Sequence, residues 1–125
     1  MAIDLKRIGQ VSLTVDDVDV AERFYQDTLG LRKLYRFGDL VFFDCAGVRL
    51  FISKPETGSF SPASSVLYFR TPDIRVAVHE MTAKGVSFID EPHVVAEMAD
   101  HDLWMAFFKD PAGNTLALMH EAPKN

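Results

Sequence analysis

The sequence predicts an α+β fold: two tandem βαβββ modules whose open sheet faces form a curved mixed-sheet cup. Three observations carry this. Short apolar strands are interrupted once in each half by a stripe of apolar residues at helical spacing. Each stripe opens on an aspartate and closes on a glycine, Asp17 to Gly30 and Asp73 to Gly85, as helix caps do. The halves also repeat each other at an offset of about 55–60 residues, the mark of internal duplication. Asp17 aligns with Asp73, Val18 with Ile74, Ala21 with Ala77 and Gly30 with Gly85, and "FFDCAGVRLFI" is echoed by "FFKDPAGNTLAL".

In order along the chain, "IGQVSLTV" (Ile8 to Val15) alternates apolar and polar residues and reads as a strand. Asp16-Asp17 then offers an N-cap to a helix whose stripe is Val18, Ala21, Tyr25 and Leu29, with Phe24-Tyr25 read as core. "LRKLYRF", "LVFFDC" and "VRLFIS" follow as strands, punctuated by Gly38 and Gly47. Residues 54–65, "KPETGSFSPASS", form a Ser-, Pro- and Gly-rich linker. It divides module one, about 1–57, from module two, about 66–122, within one domain spanning 1–125. In the second module "VLYFRT" is a strand, and Ile74, Ala77, Val78 and Met81 are the helix stripe. "VSFIDEP", "HVVAEM", "LWMAFF" and "TLALMH" complete the set. The last two flank Asp110-Pro111-Ala112-Gly113-Asn114, a turn in which Pro111 fixes φ, Gly113 tolerates positive φ, and Asp110 and Asn114 bond nearby amides.

Strand alternation assigns the faces. Val11, Leu13 and Val15 go under the first helix, leaving Gln10, Ser12 and Thr14 open. Leu50 and Ile52 are covered; Arg49, Phe51 and Ser53 are open. In module two Leu67, Phe69, Leu116 and Leu118 are covered, leaving Val66, Tyr68, Arg70, Ala117 and Met119 open.

A 125-residue chain with 48% hydrophobic and 25% charged residues is an ordinary globular composition. Net charge is −5, with Lys and Arg scattered, so the sequence predicts no nucleic-acid partner, which needs a basic stripe. Its apolar runs are too short to span a bilayer, and no basic segment followed by an apolar one opens it as a secretion signal would. Cys45 is the single cysteine, read as a small buried thiol of a reducing compartment. The expected location is cytoplasmic.

The combination of "VSLTVDDVDVAERFYQDTLGL" with "FFKDPAGNTLAL" resembles the vicinal oxygen chelate superfamily: glyoxalase I, bleomycin- and fosfomycin-resistance proteins and extradiol dioxygenases. The resemblance covers essentially the whole chain. It rests on Asp17, Phe24-Tyr25 and Leu29-Gly30-Leu31 at the front, with Asp110-Pro111 and Gly113-Asn114 at the back. The fold is what such scaffold motifs imply most firmly. Metal enzymes of that family hold a divalent ion with one residue from each of four strands. The matching positions here are Gln10, Phe51, Val66 and Ala117. Three of the four side chains have no donor atom, so no metal and no other cofactor is expected, and the two-His, one-carboxylate iron site is likewise missing.

The remaining polar residues define the expected site. Arg49, Arg70, Tyr68 and Phe51, joined by Gln10 and Trp104, offer forked donors and aromatic surface to a small planar or anionic molecule; pairing of one or both Arg with carboxylates at a subunit contact is the competing role. Among four histidines, His101 in "ADHDLW" is the best acid/base candidate; Asp100, His101 and Asp102 are weighed as an alternative metal site. His79 is read as surface, His93 as part of a connection, and His120 as lying on the face opposite Ala117. The sequence therefore predicts a metal-independent small-molecule binding or resistance protein, a homodimer. A diverged lyase or isomerase using His101 or Arg70 is the alternative, and a subunit whose cup is filled by its own side chains is a third.

Overall fold

The computed structural model describes residues 3–124, so the ends of the expected 1–125 span lie outside the described residues. The chain divides into two compact units, 1–61 and 62–125. In the first, β1 (Gln10–Thr14), helix α1 (Val18–Arg23), β2 (Arg32–Phe37), β3 (Leu40–Cys45) and β4 (Val48–Ser53) give a four-stranded mixed sheet of order β1-β4-β3-β2. In the second, β5 (Leu67–Arg70), α2 (Ile74–Ala83), β6 (His93–Glu97), β7 (His101–Lys109) and β8 (Thr115–Pro123) repeat that plan as β5-β8-β7-β6. In each sheet the first and last strands run parallel and the other pairings are antiparallel.

The duplication reaches local geometry. Asp17 and Asp73 both adopt extended backbone and accept, through their carboxylates, the N–H of Val20 (3.1 Å) and Val76 (3.2 Å), satisfying donors that a helix start otherwise orphans. The edge strands match too: β2 is bulged at Leu34 and β6 at Val95. The halves differ at the first helix. Past Arg23 it widens into a π turn, Phe24–Thr28, in which the Leu29 N–H reaches the Phe24 carbonyl at 3.0 Å. Gly30, at φ +76, then releases the chain into β2.

Each sheet buries one face beneath its helix. Leu13, Val15, Val18, Ala21, Tyr25, Val41, Phe43, Leu50 and Ile52 form the core of the first unit, and Tyr25 is wholly buried, as core rather than recognition. Ile74, Met81, Val86, Ala106, Phe108, Leu116 and Leu118 form that of the second. Burial of each large side chain contributes about 1.5–3 kcal/mol. One expected strand fails. "VSFIDEP" makes a single bridge, Phe88 to Phe108. Beyond it the Asp90 carboxylate takes the Phe107 N–H (2.9 Å), so a side chain replaces the backbone partner a strand would need, and Pro92 has no N–H to donate.

Candidate functional site

The open face of the first sheet is built by register. Gln10, Arg49 and Asp44 stand side by side across β1, β4 and β3; Ser12, Phe51, Phe42 and Tyr35 form the next row. The bulge at Leu34 brings Tyr35 and Phe37 onto this face; uninterrupted alternation would have turned both toward the helix. Phe42 and Phe51 stack with centroids 4.6 Å apart and planes 7° off parallel. Tyr35 continues the row 4.7 Å from Phe42, and Phe37 lies 5.3 Å beyond Tyr35. Such pairs add about 0.5–1.5 kcal/mol beyond their burial.

Arg49 lies across this aromatic row. Its Nε donates to Gln10 Oε1 at 2.7 Å, its Nη1 to the Tyr35 hydroxyl oxygen at 3.4 Å, and its guanidinium carbon is 5.5 Å from the Phe42 centroid. None of the ion pairs among the described residues includes Arg49. Three predicted residues, Gln10, Arg49 and Phe51, are thus brought together. Sequence reasoning missed Tyr35 and Phe42. Phe42 was within reach, because hairpin pairing across Ala46-Gly47 sets it opposite Phe51; Tyr35 was not, because nothing in "LRKLYRF" marks the bulge.

On the open face of the second sheet, Tyr68, Ala117 and Phe107 form one row and Arg70, Met119 and Met105 the next. Tyr68 meets Phe107 edge to face at 6.0 Å. Arg70 is ion-paired with Glu121, whose other oxygen lies 3.1 Å from His101 Nε2, while His101 Nδ1 lies 2.7 Å from Asp100. The hydrogen bond to His101 holds the Asp100 carboxyl below its usual range. Both ring nitrogens of His101 and the Arg70 guanidinium are thereby engaged.

Trp104 does not join these residues. It stands three positions from Phe107 on an unbulged strand, which places it on the opposite, helix-covered face with Arg75 over its ring at 5.2 Å. His120 shares that face and accepts the Ile74 N–H through Nδ1 at 3.4 Å. His93 packs against the Glu91 carbonyl and Asp90. His79 lines a cavity of about 570 Å³ between α2 and residues 88–92, away from the open face. A second hollow, about 380 Å³, lies at the end of β5 and β8 against Arg70, Thr71, His120 and Glu121.

The residues at the family's metal positions do not fit a divalent ion. Phe51, Val66 and Ala117 have no side-chain donor, Ala117 is fully buried, and the oxygen of Gln10 is committed to Arg49. The alternative set separates as well: Asp102 falls on the face opposite His101 and pairs with Lys124 at 3.4 Å. Among the described residues no group of three His, Cys, Asp or Glu side chains converges as ion ligands. Burial, reinforced by Asp44, raises the Cys45 thiol pKa, which disfavours a reactive thiolate.

This architecture is that of a vicinal oxygen chelate module pair. The sequence profile of the Glyoxalase/Bleomycin resistance protein/Dioxygenase superfamily matches residues 7–118, and the chain belongs to that superfamily. Its fold is similar to lactoylglutathione lyase from Agrobacterium tumefaciens (TM-score 0.76, 22% identity, covering 94% of this chain and 95% of that one). It is similar too to virulence protein STM3117 from Salmonella typhimurium (0.74, 24%, 96% and 98%). A superfamily member from Sphaerobacter thermophilus matches likewise (0.77, 22%, 94% and 98%). At these identities the likeness is one of fold. No curated protein sequence matches significantly. Among the described residues no helix is long and apolar enough to cross a membrane.

Proposed function

We propose that the protein is a cytoplasmic, homodimeric binding or resistance protein of the glyoxalase/bleomycin-resistance type that takes a small aromatic or anionic molecule on its open sheet faces without a metal ion. The observation that carries this is the aromatic row Tyr35-Phe42-Phe51 with Arg49 fixed across it: apolar, aromatic surface with a few placed polar groups is what small-molecule sites present. Tyr68 and Phe107 supply similar surface on the second sheet. A diverged lyase using His101 or Arg70 is less well supported, because Glu121 engages both; a free base or a free cation would serve that chemistry better.

The test is a thermal-shift screen of aromatic and anionic compounds, run with and without a chelator. A ligand raises the melting temperature by mass action, so a raised midpoint insensitive to chelator is expected. A fall of several degrees on adding chelator alone, restored by a divalent ion, would overturn the metal-independent reading.

A further inference from the structure

We propose that Arg49 is an oxyanion anchor and that the ligand of the first sheet is a planar aromatic acid, its ring stacked along Tyr35 and Phe42 and its carboxylate on the Nη2 edge of the guanidinium. This rests on the reading of the open face as a small-molecule site and narrows the class of molecule it takes.

The guanidinium is charged at all physiological pH values, yet its two hydrogen-bond partners, an amide oxygen and a phenol oxygen, orient it without neutralising it. On the same sheet Arg32 pairs with Asp44, and Arg36 with Asp19 and Glu22. Nη2 of Arg49 has no hydrogen-bond or ion-pair partner among the described residues, and the residue is exposed. Gln10, Tyr35 and the Phe42 ring restrain the side chain from three sides, so little rotamer entropy remains to be lost when an anion arrives.

A guanidinium edge recognises the two coplanar oxygens of a carboxylate, which distinguishes it from a point charge. Tyr35 and Phe37 are 39% and 65% exposed, so the row ends on accessible ring surface. A ring laid on that surface brings an attached carboxylate level with Arg49. Gln10, at a position where the family's metal enzymes place an ion ligand, here holds this arginine instead. The cation at this end of the face is therefore a hydrogen-bonding fork.

Calorimetric titration with naphthalene-2-carboxylate and its neutral isostere naphthalene-2-carboxamide tests this. The carboxylate is expected to bind at least ten-fold tighter, a difference of ~1.4 kcal/mol. Arg49→Met should bring the two within about two-fold, with an unchanged circular dichroism spectrum, and Gln10→Ala, which frees the guanidinium to move, should reduce the preference. His79→Ala, on α2, should leave it intact. Equal binding of acid and amide by the native protein would overturn the anchor while leaving a small-molecule site standing. Absence of binding by either, together with an empty thermal-shift screen, would overturn both readings. Should Arg49→Met not fold, an undiminished preference in Gln10→Ala overturns the proposal.

Discussion

Glu22 ties the first helix to the edge strand of its sheet. Its carboxylate accepts from Lys33 Nζ at 2.8 Å and from Arg36 Nη1 at 2.5 Å, and its side chain is only 15% exposed. The hydrogen bonds from Lys33 and then Arg36 outweigh burial and hold its pKa below the ordinary 4.5. A carboxylate whose pKa is lower in the folded state contributes stability that is present above the unfolded value and lost as pH falls through the folded one. Glu22→Gln should therefore lower the melting temperature at pH 7 and flatten its decline below about pH 4.5. Parallel melting curves for variant and native protein across pH 3–7 would refute this, an acid range set by general carboxylate titration. Arg70 is a different case. Its side chain is 67% exposed and that of Glu121 35%, so solvent screens the pair, and Arg70→Met should cost no more than about 1 kcal/mol in urea unfolding. A much larger loss would give Arg70 a structural role that its exposure does not suggest.

At the scale of elements, the Asp110–Asn114 turn serves architecture. Asp110 Oδ1 accepts the N–H groups of Ala112 (3.0 Å) and Asn114 (2.8 Å), and its Oδ2 accepts from Asn114 Nδ2 (3.0 Å). Asn114 Oδ1 in turn accepts the Ala63 N–H at 2.7 Å, fastening the start of the second unit to its final hairpin. Gly113 takes φ +94, open to glycine without strain. Asn114 is fully buried, so Asn114→Ala should remove the acceptor of the Ala63 N–H and destabilise by about 1–3 kcal/mol. A change of only a few tenths in urea unfolding would show that water replaces the lost amide.

For the whole molecule, the exposed apolar residues set the expectation. Outside the aromatic row, Leu34 and Leu40 are 36% and 39% exposed on a single hairpin of the first unit, and Val94 and Val95 are exposed on the corresponding strand of the second. Apolar side chains exposed on sheet edges favour association, and closed homodimers are the commonest assembly. Light scattering at micromolar concentration should give twice the 14.0 kDa chain mass; a monomer mass would refute the dimer.

Sequence alone determined the duplicated plan, the two aspartate caps, the helix-covered cores and the superfamily, because these depend on local periodicity and on residues at fixed offsets. It also determined that Phe51, Val66 and Ala117 bring no metal donor, since residue identity decides that. What only the tertiary structure decided was which side chains share a face and which are already engaged. A bulge at Leu34 shifts the parity of β2 and delivers Tyr35 to Arg49. Unbroken alternation in β7 sends Trp104 to the helix side. Glu121, fifty-one residues from Arg70, takes the charge of one of the two arginines that strand parity places on the open faces, while Arg49 is in none of the ion pairs among the described residues. Side-chain parity is local only while pairing is regular, and the neutralisation of a charge depends on a partner brought near by the fold, which local sequence pattern does not fix.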